Sequence, residues 1–307
     1  MTHLIKVDHL WRYYGKHCAV KDLSFSVDRG EVLGFLGPNG AGKTTTLQII
    51  TGNLAPSAGY VSINGFDLLR SPLQAKRSLG YLPDTPPLYK ELTVHEFLTY
   101  CGQLQGLTPS TIKTAIHTTL ERCGLTSVDT RLIANLSKGF QQRVGIAQAI
   151  LHNPDVIILD EPTVGLDPIQ IKEIRALIRD LGQDHGIILS THILSEVQET
   201  CTQVQIIHQG ELIFKDNITH LNQTMNQGCL HIKTQRPPNT TELLVLPHVE
   251  RIETLSPTEL NIHYTLPYEP SQRIAETLIT QCCGLLEMTP VKKSMEDIFL
   301  TLTQEHS

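Results

Sequence analysis

The sequence predicts an α/β fold, in which a mainly parallel sheet carries a phosphate-binding loop and a helical stretch is inserted into the sheet domain. A small α+β unit follows at the C-terminal end. Three observations lead there. Short apolar runs suited to buried strands (Glu31–Leu36, Val156–Leu159, Ile187–Leu189) alternate with segments of helical periodicity, as βαβ units require. The first of these runs feeds straight into a glycine-rich loop that opens a helix over Thr44–Ile50. Helical spacing then dominates from about Pro86 to His152 before the next apolar run.

The elements follow in order. Residues 1–36 read as strands, with Leu23, Phe25 and Val27 alternating with Ser24 and Ser26 as a half-buried strand does. Tyr60–Ile63 is a strand closed by the turn pair Asn64-Gly65. In the helical stretch, Ile112, Ala115, Ile116, Thr119 and Leu120 share one face, as do Phe140, Val144, Ala147 and Leu151. A helix with Ile171, Ile174, Leu177, Ile178 and Leu181 inward joins the two later strands. Beyond about Asn217 the character changes, with prolines at 237, 238, 247, 257, 267 and 270 between short strand-like runs. A helix over Ser271–Cys282 and an amphipathic segment, Ser294–Leu302, close the chain. The expected domains are therefore 1–217, containing a helical subdomain at about 86–152, and 218–307.

Bulk properties bound the function. With 307 residues and 40% hydrophobic content the chain has room for two domains and a sizeable core. A formal charge of −6 disfavours a large basic surface, so no nucleic acid is expected as a partner. No run approaches the ~18 apolar residues that span a bilayer, and MTHLIKVDHL lacks a signal-peptide core. Any membrane-spanning part is expected to be a separate chain. The seven cysteines form no CxxC pair and read as reduced, mostly buried thiols of a cytoplasmic protein.

Two motifs carry chemistry. Gly37, Pro38, Asn39, Gly40, Ala41, Gly42, Lys43 and Thr44 match G-x-x-x-x-G-K-[ST] without deviation, and Thr45 follows in the helix. Backbone N–H groups in a tight loop, followed by a helix N-terminus, make a concave anion site. Lys43 is expected on the β- and γ-phosphates and Thr44 on Mg²⁺. Val156–Leu159 is an apolar strand ending in Asp160 and Glu161. Its C-terminal end is where α/β sheets bind ligands, so Asp160 is placed to hold Mg²⁺ and Glu161 to polarise the attacking water. These motifs read as a site for a nucleotide and Mg²⁺, and alone they fit kinases, GTPases, helicases or transporters; that the nucleotide is ATP is what the family resemblance of further segments implies.

Four further segments narrow the class. Leu136-Ser137-Lys138-Gly139-Phe140-Gln141 resembles the LSGGQ signature of ABC-type ATPases, and Gly165-Leu166-Asp167-Pro168 resembles their D-loop. Ile188-Leu189-Ser190-Thr191-His192 is similar to their switch-histidine segment, and Tyr14-Gly15 ahead of Ala19-Val20 to their adenine-stacking loop. The resemblance covers about residues 3–217. It implies the ABC variant of the P-loop fold, with an N-terminal antiparallel β subdomain. It also implies nucleotide contacts from Tyr14, Val20, Ser137, Gly139 and Asp167, and a catalytic role for His192 beside Glu161 and Lys43. Lys138 and Phe140 depart from LSGGQ, and Asp84 stands where the family's metal-binding Q-loop glutamine is expected. These departures, GLDP and the Ser294–Leu300 ending resemble the branch that pairs with ABC-2-type membrane subunits, mostly exporters, and includes the gliding-motility subunits.

The resemblance implies an ATP-hydrolysing subunit, cytoplasmic and peripheral on the inner face of the membrane, with a membrane-spanning permease as partner. One P-loop and one signature per chain imply a head-to-tail dimer, either a homodimer or a dimer with a related subunit. The groove near Asp84–Thr93, with Leu88 and Tyr89, is the expected permease contact, unless those two side chains only pack the insertion. An alternative is a soluble ABC-type ATPase acting on nucleic acid or ribosomes. Such proteins usually have two ATPase domains or a long coiled coil, and neither is evident. A regulatory module that holds ATP without turnover is disfavoured by Asp160, Glu161 and His192.

Overall fold

A computed structural model describes residues 3–292, apart from the side chains of residues 222–227 and 292. The chain divides after Ile218 into two compact units. In the first, β1 (Ile5–Tyr14) and β2 (His17–Val27) form an antiparallel hairpin whose register sets Ile5 against Val27 and Val7 against Phe25. β3 (Val32–Leu36) is buried along its whole length and leads into α1 (Lys43–Ile50). β4 (Ala58–Ile63) and β5 (Phe66–Asp67) complete a four-stranded antiparallel sheet in the order β2-β1-β4-β5. Asn64 and Gly65 join them with φ of 50° and 79°, the double left-handed turn that Asn-Gly favours in hairpins.

After α2 (Pro72–Arg77) come β6 (Leu79–Leu82) and the helices α3 (Val94–Leu104), α4 (Pro109–Arg122) and α5 (Lys138–Ile150). Thr93 and Glu96 exchange side chain-to-backbone hydrogen bonds at the start of α3, and the Thr108 hydroxyl caps α4. The predicted helical faces hold: Ile112, Ile116, Thr119 and Leu120 are buried, as are Val144 and Ala147. β7 (Val156–Asp160), α6 (Pro168–Leu181), β8 (Gly186–Thr191), α7 (Leu194–Thr200), β9 (Gln203–His208) and β10 (Glu211–Asn217) finish the unit.

The second sheet runs β10-β9-β3-β8-β7-β6, parallel at every join except that of β10 with β9. β3 and β7 lie on either side of β8, so the loops after all three emerge at the same edge. α5 packs closely on β6, because a Cβ added to Gly80 would lie 2.1 Å from the Ala149 carbonyl oxygen. Among the described residues no helix is long and apolar enough to cross a membrane.

The second unit holds α8 (Ile218–Met225), β11 (Asn226–Thr234), α9 (Thr240–Leu244), β12 (Val249–Ser256), β13 (Glu259–Tyr264), α10 (Ser271–Thr280) and β14 (Leu285–Lys292). Its antiparallel sheet, β12-β13-β11-β14, packs Leu230, Ile232, Leu260 and Ile262 against Leu243, Ile274 and Leu278 of the helices. This is the split β-α-β-β-α-β arrangement. α10 ends at Thr280, two residues before the expected Cys282, because Cys282 takes a left-handed φ of 57°. The expected segment Ser294–Leu302 lies outside the described residues.

Two histidines, half-buried His152 and buried His185, make stability depend on pH. His152 Nε2–H donates to the Leu79 carbonyl at 3.1 Å and His185 Nδ1–H to the Pro154 carbonyl at 2.7 Å. The other ring nitrogen of each is buried without a partner among the described residues, as a neutral ring requires. Burial lowers both pKa values from the ordinary histidine range. A folded-state pKa below the unfolded one stabilises the fold while the group is neutral, and that contribution is lost as pH falls through the folded pKa. The thermal midpoint is therefore expected to drop between about pH 7.5 and about pH 5.5. The double variant His152→Gln/His185→Gln should flatten that slope, and an undiminished slope would assign it to other groups.

Candidate functional site

The loop between β3 and α1 is built on backbone freedom. Gly40 and Gly42 have φ of 82° and 103°, and a Cβ on Gly42 would sit 2.4 Å from the Ala19 carbonyl oxygen. Glycine at 42 thus lets β2 close against the start of α1. Beside this loop opens a cavity of about 370 Å³, lined by Pro38, Asn39, Gly40, Gly42, Lys43, Thr44 and Thr45, by Tyr14, His17 and Ala19, and by Asp84 and Glu161. Gly37 and Ala41 are buried beneath the loop and do not line the cavity.

Lys43 is only 6% exposed. Its ammonium donates to the carbonyls of Gly37 at 2.7 Å and Pro38 at 3.4 Å, and lies 3.7 Å from Glu161 Oε1. Burial lowers its pKa, while the charges of Glu161 and Asp160 counter that shift. Asp160, at the end of β7, is buried and its Oδ1 has no partner among the described residues. Burial raises the Asp160 pKa, and the charges of Glu161 and Asp84 add to the effect. The Ser190 hydroxyl, close by but outside hydrogen-bonding geometry, and Lys43 act the other way. An orphaned carboxylate oxygen of this kind, with Thr44 and Asp84 in the adjoining cavity, suits a hard divalent cation.

Glu161 follows directly. It holds a left-handed φ of 49°, uncommon for a side chain of this size, and its N–H donates to the Ser190 carbonyl at 2.9 Å. His192 Nδ1 is 3.0 Å from both carboxylate oxygens of Glu161. β7 and β8 are paired neighbours, which brings the two side chains together.

Tyr14 is exposed towards the cavity, and the Arg12 guanidinium lies over its ring at 4.8 Å from the centroid. Arg12 also donates to the Ala55 carbonyl at 3.0 Å, which fixes it behind the tyrosine. Val20 corrects the expectation: it is wholly buried in the core, and Ala19 faces the cavity instead. Successive strand residues point to opposite faces, so only one of the pair can line the site. His17 also lines it and was missed. Its place opposite the loop depends on hairpin register, for which the local sequence carries no signal.

Ser137, Gly139 and Asp167 do not line the cavity. Ser137 caps α5, its hydroxyl oxygen accepting the Phe140 N–H at 3.4 Å. Gly139 lies under α6, where a Cβ would meet the Gln170 amide at 2.5 Å. Asp167 caps α6, one carboxylate oxygen accepting N–H bonds from Ile169 and Gln170 at 3.0 Å each. Asp84 borders both the phosphate cavity and a second one of about 390 Å³, lined in part by Leu88, Lys90, Lys138 and Val164. Tyr89 is partly exposed but packs its ring near those of Phe97 and Tyr100.

Comparison with known proteins agrees with this geometry. The family model described as ABC transporter matches residues 20–164. The bacitracin transport ATP-binding protein BcrA of Bacillus licheniformis is 39% identical over 225 residues, covering 73% of this chain and 72% of its own length. The linearmycin resistance ATP-binding protein LnrL of Bacillus subtilis is 30% identical over 305 residues, covering 98% of each chain. That likeness continues through the C-terminal unit. A solved structure described as the ATP binding subunit of an ABC transporter superposes with a TM-score of 0.66 at 35% identity, covering 72% of this chain and 92% of its own.

Proposed function

The chain belongs to the ATP-binding subunits of ABC transporters, and from that premise we propose that it works as one of two head-to-tail ATPase subunits energising a separate membrane-spanning permease of the ABC-2 exporter type. It is a transport-coupled ATPase. The observation that carries the dimer is the incompleteness of the cavity: the loop, Glu161 and Asp84 line it, whereas Ser137, Gly139 and Asp167 do not. A second subunit would bring those three to the phosphate end. An isologous pair would do this twice over with one sequence.

Within one site, Tyr14 stacks on adenine and is stiffened from behind by Arg12. The loop N–H groups and Lys43 cradle the β- and γ-phosphates. Thr44, Asp160 and Asp84 would hold Mg²⁺, which when bound neutralises charge on the phosphate oxygens. Glu161 polarises the attacking water. The His192 Nδ1–H donates to that carboxylate, holding it in one rotamer and leaving Nε2 for the γ-phosphate side. The names of relatives that transport bacitracin or confer linearmycin resistance support an exporter. The cavity bordered by Leu88 and Lys90 supports the Asp84–Thr93 face as the permease contact, and a subunit bound through that face would sit at the inner membrane surface.

The test is steady-state ATP turnover per chain against protein concentration. Turnover is expected to rise with concentration and then level off as dimers form. A rate independent of concentration, from a species of monomer mass in ATP, would mean a self-sufficient site and end the composite reading.

A further inference from the structure

Glu196, in α7, is 1% exposed and does not line the phosphate cavity. A buried carboxylate is costly unless its oxygens are used, and here each is. The Thr163 hydroxyl donates to Oε1. The Thr191 hydroxyl donates to Oε2 at 2.7 Å. Arg175 stands 3.9 Å from Oε1 as counter-charge and is itself held by Glu199 at 2.7 Å.

The two threonines flank the hydrolytic pair. Thr163 is buried two residues after Glu161, and Thr191 is buried immediately before His192. Glu161 needs support from both sides. Its left-handed φ of 49° is disfavoured, the more so before Pro162, and persists only where the surroundings enforce it. The upstream side is fixed by β7 pairing with β8 and by the Glu161 N–H bond to Ser190. On the downstream side, Thr163 bonds to Glu196. The same carboxylate fixes the turn that carries His192, because Thr191 Oγ1 also accepts the Ile193 N–H at 3.1 Å.

We propose that Glu196 is a positioning residue for hydrolysis: its carboxylate bridges the two backbone segments that carry Glu161 and His192 and sets the distance between those side chains. This rests on Glu161 being the water-polarising group. On the proposed function, ground-state nucleotide binding is made by the loop after β3 and by Tyr14, which line a cavity that Glu196 does not line. The residue therefore acts on turnover and leaves affinity alone.

The experiment measures kcat and KM for ATP in Glu196→Ala, Glu196→Gln, Thr163→Val and Thr191→Val, each alone and combined with Glu161→Gln. Glu196→Ala is expected to lower kcat by about 10- to 100-fold, the size of effect that a misplaced reacting group causes. KM should stay within about twofold. Glu196→Gln keeps groups that can bond both threonines and should recover part of the loss. The two valine variants, which preserve side-chain shape, should each reproduce part of it and guard against an alanine variant that does not fold. In the Glu161→Gln background none of the four should lower the residual rate further. A raised KM with unchanged kcat, or losses that multiply with Glu161→Gln, would overturn the proposal and make Glu196 a packing residue. Undiminished turnover in Glu161→Gln alone would instead remove the premise, a distinguishable failure.

Discussion

Glu161→Gln is expected to abolish most ATP turnover while leaving nucleotide binding intact. The exchange keeps size and shape, and glutamine can hold the same left-handed backbone, so the loop after β7 should not move. Its amide oxygen can still accept the His192 Nδ1–H, now at 3.0 Å from the carboxylate oxygens. What disappears is the basic charge proposed to polarise water. General-base groups contribute about 10²- to 10⁴-fold, and a loss of about 10²- to 10³-fold is expected here. That is about 3–4 kcal/mol of transition-state stabilisation. Binding should hold or tighten, because a negative group lining the proposed phosphate cavity has been neutralised. On the two-subunit proposal, an ATP-bound dimer should therefore accumulate in this variant. Phosphate release and sedimentation in MgATP check both halves. Turnover within about threefold of wild type would take the general-base role away from Glu161.

The sequence reading succeeded where spacing is local and failed where it depends on register. The loop Gly37–Thr44 and the pair Asp160-Glu161 each lie within a few residues of an apolar strand, so periodicity alone sets them at the same sheet edge. The alternation of strands and helices implied a mainly parallel sheet, but the order that sets β8 between β3 and β7 is a structural finding. The Ala19/Val20 reversal is a one-residue matter. β1 and β2 shift register between Leu10 and Tyr13, and such shifts decide which side chain faces the loop. Glu196 shows a second limit. In sequence it is one acidic residue on a short helix, and its partnership with Thr163 spans 33 positions. In the C-terminal unit the six prolines from Pro237 to Pro270 fall outside the strands and helices as expected, whereas Pro290 lies within β14. The order β12-β13-β11-β14 rests on non-local pairings for which the short runs give no evidence.

Lys43→Ala should remove nucleotide binding itself. The only other basic side chain lining the cavity among the described residues is His17, whereas Asp84 and Glu161 line it and Asp160 is buried alongside. Without the lysine, a polyphosphate would meet carboxylates with only His17, neutral side-chain donors such as Thr44, and backbone N–H groups to offset them. Charge-assisted hydrogen bonds contribute about 1.5–3 kcal/mol each, so losing two corresponds to a drop in MgATP affinity of at least about 100-fold. A second consequence separates this from simple unfolding. Lys43 at present lowers the Asp160 pKa against the larger effect of burial. Removing it should push that pKa further up. A carboxylate with a raised folded-state pKa stabilises the fold relative to the unfolded chain at low pH, and the contribution is lost as pH rises through the folded value. The stability deficit of Lys43→Ala should thus grow with pH above the ordinary aspartate range. Adding Asp160→Asn should shrink that deficit without restoring nucleotide binding. Thermal melts across pH, with and without MgATP, measure both effects. A Lys43→Ala protein that binds MgATP within about threefold of wild type would mean that the backbone cradle suffices for the phosphates.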